Sequence, residues 1–485
     1  MCDTAFMKLF KKGLSFYTNL SIVKKAMLWF TLCSVIQRGI SFLTVPLFTR
    51  IMSQEEYGTV AVFQSWEQVA FYIVTLGVTY GGFNTAMIKF EKDRNGYTAA
   101  TTGLVILMGL IWLLFASFFS PYISQITALS PSLIIFLFCE VIFKAIYDIW
   151  ICKTKFDFNY KKVIPASLCL AFLIPLLGTI LVLTMQDKVL ARIISFIAIE
   201  GLIAFIVLAG FFRKKAHFVN LQYWKFTLTF NIPLIPHYLS QVILSQSDRI
   251  MISLFCGSAE VSIYTIVYSV SMIIMIIVTA INSAFVPWMY RSIKNKTKSD
   301  IQINITYMLI FIGAGISLIS LLGPEIMLIL APASYQEGVY ILPPLSASVL
   351  FIFLYSICSN IEFYYEKKMF ATTASLIASL SNIILNFILI PIFGYQAACF
   401  TTLLCYILLA LFHFLFAQNV SKIKSSEKLL KGMPILGITS FFVILSLCLP
   451  LIYPFDMLRY LFVVVILCIV VLKRKDIVKK IQELR

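Results

Sequence analysis

Apolar stretches about twenty residues long recur along the whole chain, separated by short polar connections. They centre on 27–48, 58–82, 97–119, 131–151, 162–184, 190–212, 226–247 and 261–284, and then on 303–323, 339–359, 371–391, 396–417, 432–451 and 457–472. An α-helix of about 20 apolar residues crosses the hydrocarbon core of a bilayer. The pattern therefore predicts an all-α polytopic membrane protein with about 14 transmembrane helices. No connection is long and polar enough for a soluble domain. The first stretch begins near Ala26, after five lysines, and lacks a small-residue cleavage site. It is too long and too late for a cleaved signal peptide and reads as an uncleaved first span.

Composition agrees with the pattern. Of 485 residues, 60% are hydrophobic and 13% charged, and the mean hydropathy is +0.93. Soluble domains carry about 25% charged residues; a water-facing surface cannot be built from half that share. The eleven Cys show no paired spacing, and only Cys256 falls in an expected outer loop, so no disulfide is expected. Three scattered His (His217, His237, His413) leave no metal cluster.

The formal net charge of +17 comes from Lys and Arg gathered in alternate connections. The basic connections hold Lys89, Lys92 and Arg94; Lys153, Lys155, Lys161 and Lys162; Arg213, Lys214, Lys215 and Lys225; Arg291, Lys294, Lys296 and Lys298; Lys367 and Lys368; and Lys422, Lys424, Lys428 and Lys431. Both termini are basic as well. The intervening connections hold only Arg50, Lys188, Arg192, Arg249 and Arg459. Basic loops stay on the cytoplasmic side. The unbroken alternation thus puts both termini in the cytoplasm and requires an even number of spans. Charge here reflects topology, and no nucleic-acid partner is expected. The ends, with Phe6, Leu9 and Phe10 and with Ile477 and Ile481 among lysines, read as interfacial.

The expected organisation is a cytoplasmic N-terminal segment (1–25), six spans (26–215), a second six (216–420), and a C-terminal part with spans 13 and 14 and a cytoplasmic tail (421–485). A weak echo supports two repeated blocks: MSQEEYGTVAVFQS after span 1 and CGSAEVSIYTIVYS after span 7, with Ser53/Ser258 and Glu55/Glu260 at one offset. Two bundles facing a cavity are a common transporter plan.

Ionisable residues inside the apolar stretches are the candidate site, because each costs a few kcal/mol at bilayer depth unless paired or wet. Arg38, beside Gln37 and Gly39 in span 1, is either a cavity cation for a phosphate or a structural partner for a carboxylate such as Glu67. Glu67 and Glu200 could bind a coupling proton or cation, or hold Arg38 or Lys144. Glu140, Lys144 and Asp148 share one face of span 4 and could neutralise one another, with Lys144 a second anion contact. Pro233 and Pro236 should break the helix before His237, making a hinge. Asp248 and Arg249 follow span 7 near the outer face, as charge partners, an outer gate or a further anion contact. Arg50 is a similar candidate, against a snorkelling charge at the interface. His413 reads as a packed core residue.

Other chemistry is missing. There is no G-x-x-x-x-G-K-[ST] loop, no metal motif and no G-x-S-x-G elbow, and no cofactor is implied. Outer connections carry no paired carboxylates, which argues against a membrane-bound enzyme of polysaccharide assembly.

Four stretches carry a resemblance: GISFLTVPLFTRIMSQEEYGTVAVFQSW (39–66), QSDRIMISLFCGSAEVSIYTIVYSV (246–270), APASYQEGVYILPPLSAS (331–348) and NIILNFILIPIFGYQAACFTTLLCY (382–406), with Asn382, Asn386, Pro391 and Gly394 in the last. In order and spacing they resemble the polysaccharide flippases, the Wzx-type exporters of the multidrug/oligosaccharidyl-lipid/polysaccharide superfamily. One departure is Gln-Ala-Ala at 396–398, where that family often has Gly-Ala-Ala. The resemblance implies a MATE-like fold of two six-helix lobes around a central cavity, plus two C-terminal helices. It also implies alternating access in a bacterial cytoplasmic (inner) membrane, with an undecaprenyl-diphosphate-linked oligosaccharide as substrate for O-antigen or capsule synthesis. A polysaccharide polymerase and glycosyltransferases would be its partners. In the similar lipid II flippases cavity arginines grip the diphosphate, and Arg38 best fits that role. A MATE-type multidrug or cation antiporter is the alternative; it predicts an acid-rich cavity, for which Glu67 and Glu200 count and against which Arg38 counts.

Overall fold

Wherever the sequence pattern places an apolar stretch, the chain forms a helix. A computed structural model describes residues 17–18, 20–213, 215–295, 298–366, 368–425 and 429–472. The two expected interfacial ends, with Phe6, Leu9, Phe10, Ile477 and Ile481, lie outside the described residues. Among those residues the regular structure is entirely helical. The helices are α1 (Ile22–Ile51), α2 (Gln54–Thr75), α3 (Gly82–Lys89), α4 (Arg94–Thr127), α5 (Pro131–Phe156), α6 (Tyr160–Thr184), α7 (Lys188–Arg213), α8 (Leu221–Asn231) and α9 (Ile235–Phe255). They continue as α10 (Ser258–Ser271), α11 (Ile274–Lys294), α12 (Lys298–Leu321), α13 (Gly323–Leu330), α14 (Leu342–Tyr364), α15 (Lys368–Phe393), α16 (Ala397–Ser425), α17 (Gly432–Cys448) and α18 (Asp456–Leu472).

Among the described residues, ten helical stretches are long and apolar enough to cross a membrane on length and composition. The other four expected spans depart for visible reasons. α2 contains Glu67, and α5 contains Glu140, Lys144 and Asp148. A 3-10 turn at Ile232–Leu234 separates α8 from α9, and α18 has 17 residues. Exposed Leu43, Phe118, Leu183, Ile329 and Met457 would be a liability in water, whereas in a bilayer such side chains face lipid. This is a multi-pass membrane protein.

Local chemistry sets the helix ends. Ser130 caps α5, its hydroxyl accepting from the Leu133 N–H, with Pro131 in the first turn. Asn220 caps α8 through the N–H groups of Gln222 and Tyr223. Gly394 ends the turn after α15 with a φ of 71°, a left-handed conformation that glycine adopts without strain.

By packing, the chain forms two units: Met1–Ile51 with Trp66–Ile235, and Met52–Ser65 with Pro236–Arg485. In the first, α4 packs along α5, α6 along α7, α5 against α7 and α1 along α6. Ile142, Ile146, Tyr147, Ile203, Val207 and Phe211 form part of its core. In the second, α14 is central, packed by α16, α12, α10 and α17. Its side chains are buried for nearly the whole helix, around Leu350, Phe353 and Ile357.

Candidate functional site

Three faces run along α1. One packs inward through Ala26, Cys33 and Phe48, and Gln37 Nε2 on that side donates to the Ser167 carbonyl of α6 at 3.2 Å. A second is exposed and apolar, with Leu28, Leu32, Leu43 and Leu47. The third is exposed and largely polar: Thr31, Ser34, Arg38 and Ser41 recur at helical spacing, with the exposed Met27 on the same line. Arg38 stands on this polar stripe. Among the described residues it has neither an ion pair nor a hydrogen bond. A guanidinium on a polar exposed face belongs with water or an anion rather than with lipid tails.

Glu67 is not the partner of Arg38. Its carboxylate, 3% exposed by residue, meets Lys144 Nζ on α5 at 2.8 Å. The expected neutralisation among Glu140, Lys144 and Asp148 therefore does not close on itself. Among the described residues Lys144 pairs with α2 rather than with either carboxylate one turn away on its own helix. Glu200 of α7 joins the group, interacting electrostatically with Lys144, Glu67 and Asp148. Glu140 interacts with Glu200, Glu67, Lys144 and Arg192. It is buried, and its Oε2 has no hydrogen-bond partner, as is true of Glu200 Oε2. The first unit thus gathers four carboxyl groups about one lysine, with Phe71 beneath the ammonium at 5.7 Å.

The two prolines interrupt the helix as their missing N–H groups require. Pro233 lies in the 3-10 turn, Pro236 in the first turn of α9, and His237 directly follows. His237 Nδ1 is buried without a hydrogen-bond partner. α9 runs on to Phe255, so Asp248 and Arg249 lie within it rather than after it, and both are buried. Asp248 accepts from Asn386 Nδ2 at 2.7 Å, Asn382 Nδ2 at 3.3 Å, and the hydroxyls of Tyr264 and Thr402. Arg249 donates to the Ser245 carbonyl, Gln246 Oε1 and Thr265 Oγ1, each at 3.1 Å, and lies over the Tyr268 ring at 4.4 Å. Asp248 and Arg249 point to separate partners, as adjacent residues on a helix must. Arg50 Nη1 donates to the Pro46 carbonyl.

Three arrangements escaped the sequence reading. Asn382 and Asn386, four apart on α15, meet Asp248; their place in the 382–406 stretch was the one signal of it. Arg459 of α18 forms a fork with Glu325 of α13, at 2.9 and 2.6 Å, and with Asp456 at 2.6 Å. Glu362 pairs with His413. The expected span stopped at 359, short of Glu362, whereas α14 continues to Tyr364.

The fold is shared with known membrane transporters. The lipid II flippase MurJ in its inward closed conformation superposes with a TM-score of 0.69 over 93% of this chain and 100% of that one, at 15% identity. An inward-facing multidrug resistance MATE family transporter of the MOP superfamily gives 0.63 over 82% of this chain and 96% of that one, at 12% identity. The family model described as polysaccharide biosynthesis protein matches residues 23–293. The chain belongs to that family. Among curated proteins, Lsg locus putative protein 1 of Haemophilus influenzae is 24% identical over 351 residues, covering 70% of this chain and 84% of that protein.

Proposed function

We propose that this protein is a flippase that moves an undecaprenyl-diphosphate-linked oligosaccharide from the cytoplasmic to the outer leaflet of a bacterial cytoplasmic membrane, by alternating access. The product serves surface polysaccharide synthesis. Membership of the polysaccharide biosynthesis family and the shared fold with a lipid II flippase support this reading. One observation carries it: among the described residues Arg38 has no hydrogen-bond or ion-pair partner and stands on the exposed stripe of α1 with Thr31, Ser34 and Ser41.

A diphosphate bearing sugars cannot cross hydrocarbon unaided. A carrier must replace the water around the phosphates with fixed donors, and an arginine offers a planar fork that keeps its charge. Arg38 is the cation placed on the diphosphate. Lys144 and Arg249 are further anion contacts once Glu67 and Gln246 release them, and Gln37, next to Arg38 on α1, is a further substrate contact once it leaves the Ser167 carbonyl. The excess of carboxyl groups at Glu67, Glu140, Asp148 and Glu200 is a store for a coupling proton or cation. Pro233, Pro236 and His237 form the hinge, with Asp248 a charge-holding anchor beyond it.

The test is complementation of a flippase-null strain, scored for surface polysaccharide, with the wild-type chain, Arg38→Ala and Arg38→Lys at matched expression. Restoration by wild type and failure of Arg38→Ala, with lipid-linked repeat units accumulating inside, is the expected result. A wild-type chain that restores nothing but confers drug efflux would instead establish the antiporter reading, which the same carboxyl-rich cluster favours.

A further inference from the structure

A second set of ionisable groups lies in the core of the second unit, apart from Arg38 and the Glu67–Lys144 cluster. Glu362 on α14 and His413 on α16 are 0% and 1% exposed. His413 Nδ1 stands 2.9 Å from Glu362 Oε1. The other carboxylate oxygen, Oε2, is buried and has no hydrogen-bond partner. His237 on α9 is the third member: it interacts electrostatically with His413, and its own Nδ1 is buried without a partner.

Two facing lone pairs repel, so a nitrogen and an oxygen at 2.9 Å hold a hydrogen between them. With the carboxylate ionised and the imidazole neutral, Nδ1–H donates and the pair carries one negative charge. One further proton makes the pair neutral overall. It can go to His413 Nε2 or to Glu362 Oε2 without breaking the Nδ1–Oε1 contact. The pair can therefore gain and lose a proton while its geometry persists. A metal ion does not fit: among the described residues no group of three His, Cys, Asp or Glu side chains is arranged to hold one.

The surroundings isolate the pair. Its own helix brings Tyr355, whose ring lies 5.7 Å from that of His413, and Cys358, which interacts with Glu362. α10 brings Tyr268 next to Tyr355, and α16 brings Tyr406. From α11 the Tyr290 hydroxyl donates to the Asn360 carbonyl. α12 and α17 add Ile305, Leu309, Ile435 and Phe442 to the same apolar core. α9 supplies His237 and, three turns further on, Asp248 and Arg249. Arg249 covers Tyr268. A file of ionisable side chains thus runs inside one unit from Glu362 and His413, past Tyr355 and Tyr268, to Arg249 and Asp248.

We infer that Glu362 and His413, flanked by His237, form a proton-binding site in the second unit. Its charge acts on α9 directly after the Ile232–Leu234 interruption. A carrier can use a proton only through a group whose charge differs between states, and a charge placed beside a broken helix meets that condition.

With three histidines in the chain, the test is direct. The full protein, 15N-labelled at histidine, is placed in phospholipid nanodiscs, and imidazole nitrogen shifts are followed from about pH 5 to 9, the range in which histidines ordinarily change charge. The exposed His217 serves as internal reference. The expected result is a protonation step at the buried pair, seen at His413, that moves by more than about one pH unit in Glu362→Gln and by less in His237→Asn. Wild-type His413 nitrogen shifts that stay constant throughout, showing a proton neither on the ring nor on the carboxyl it bonds, would overturn the inference even if neither variant folds. A His413 step unchanged in a folded Glu362→Gln protein would overturn it too.

Discussion

Lys144 Nζ on α5 lies 2.8 Å from Glu67 Oε1 on α2, and this ion pair leaves Arg38 without the carboxylate that would have neutralised it. Each intramembrane cation then has a distinct situation. Lys144 is held by a protein partner, Arg249 by Gln246, Thr265 and the Tyr268 ring, and Arg38 stands on a polar face open to an anion. The proposed function assigns this open cation to the phosphates.

Arg38→Ala is expected to abolish complementation while the protein reaches the membrane at the wild-type level. Hydrogen bonds to charged groups contribute about 1.5–3 kcal/mol each, so the affinity for an undecaprenyl-diphosphate sugar should fall roughly 10- to 150-fold. Arg38→Lys keeps the charge but not the fork and should fall in between. Binding to the purified variants in nanodiscs checks both numbers.

For the Lys144–Glu67 pair, removing one partner should cost more than removing both. Lys144→Met leaves a buried carboxylate facing other carboxylates; the lysine side chain is 31% exposed, so about 1–3 kcal/mol is expected rather than the larger cost of a fully buried pair. Glu67→Gln combined with Lys144→Met should recover most of that loss. A double-mutant cycle on thermal unfolding in detergent measures the difference.

Arg459→Ala should loosen the last helix. Arg459 is 2% exposed and ties α18 to Glu325 of α13, so its loss leaves a carboxylate without its cation. The Glu325 side chain is 32% exposed and water takes up part of the charge left behind, so a cost of about 1–2 kcal/mol is expected. Faster hydrogen exchange over 456–472, with little change around α14, is the expected result. Arg459→Lys, which cannot reproduce the fork, should behave closer to the alanine variant than to wild type.

Gly58 and Gly39 should respond oppositely to a side chain. A Cβ on Gly58 would stand 1.6 Å from the Ser258 carbonyl oxygen, whereas one on Gly39 meets nothing within 4 Å. Gly58→Ala should therefore reduce the yield of monodisperse protein in size-exclusion chromatography, and Gly39→Ala should not. Since Gly39 adjoins Arg38, a Gly39→Ala protein that folds but no longer complements would place that surface against the transported molecule.

Much of the architecture was legible in the chain because bilayer-spanning helices satisfy their own backbone. Fourteen apolar stretches could be counted and each is helical, since length and hydropathy decide this locally. The interruption before His237 was legible for a similar reason: Pro233 and Pro236 remove hydrogen bonds within their own segment. Charges placed at bilayer depth drew attention to Arg38, Glu67, Lys144 and Glu200 by their cost alone.

Partnerships were not legible in this way. The sequence by itself determined a membrane-spanning all-helical chain, the position of its broken helix and the residues whose charge demands an explanation. Only the tertiary structure decided that Glu67 takes Lys144 and not Arg38, that Asn382 and Asn386 converge on Asp248, and that Glu362 meets His413. The reason is physical. Spanning is a property of one segment against the surrounding lipid, whereas an ion pair depends on which faces of two helices meet, and that is set by side-chain packing between segments distant in the chain.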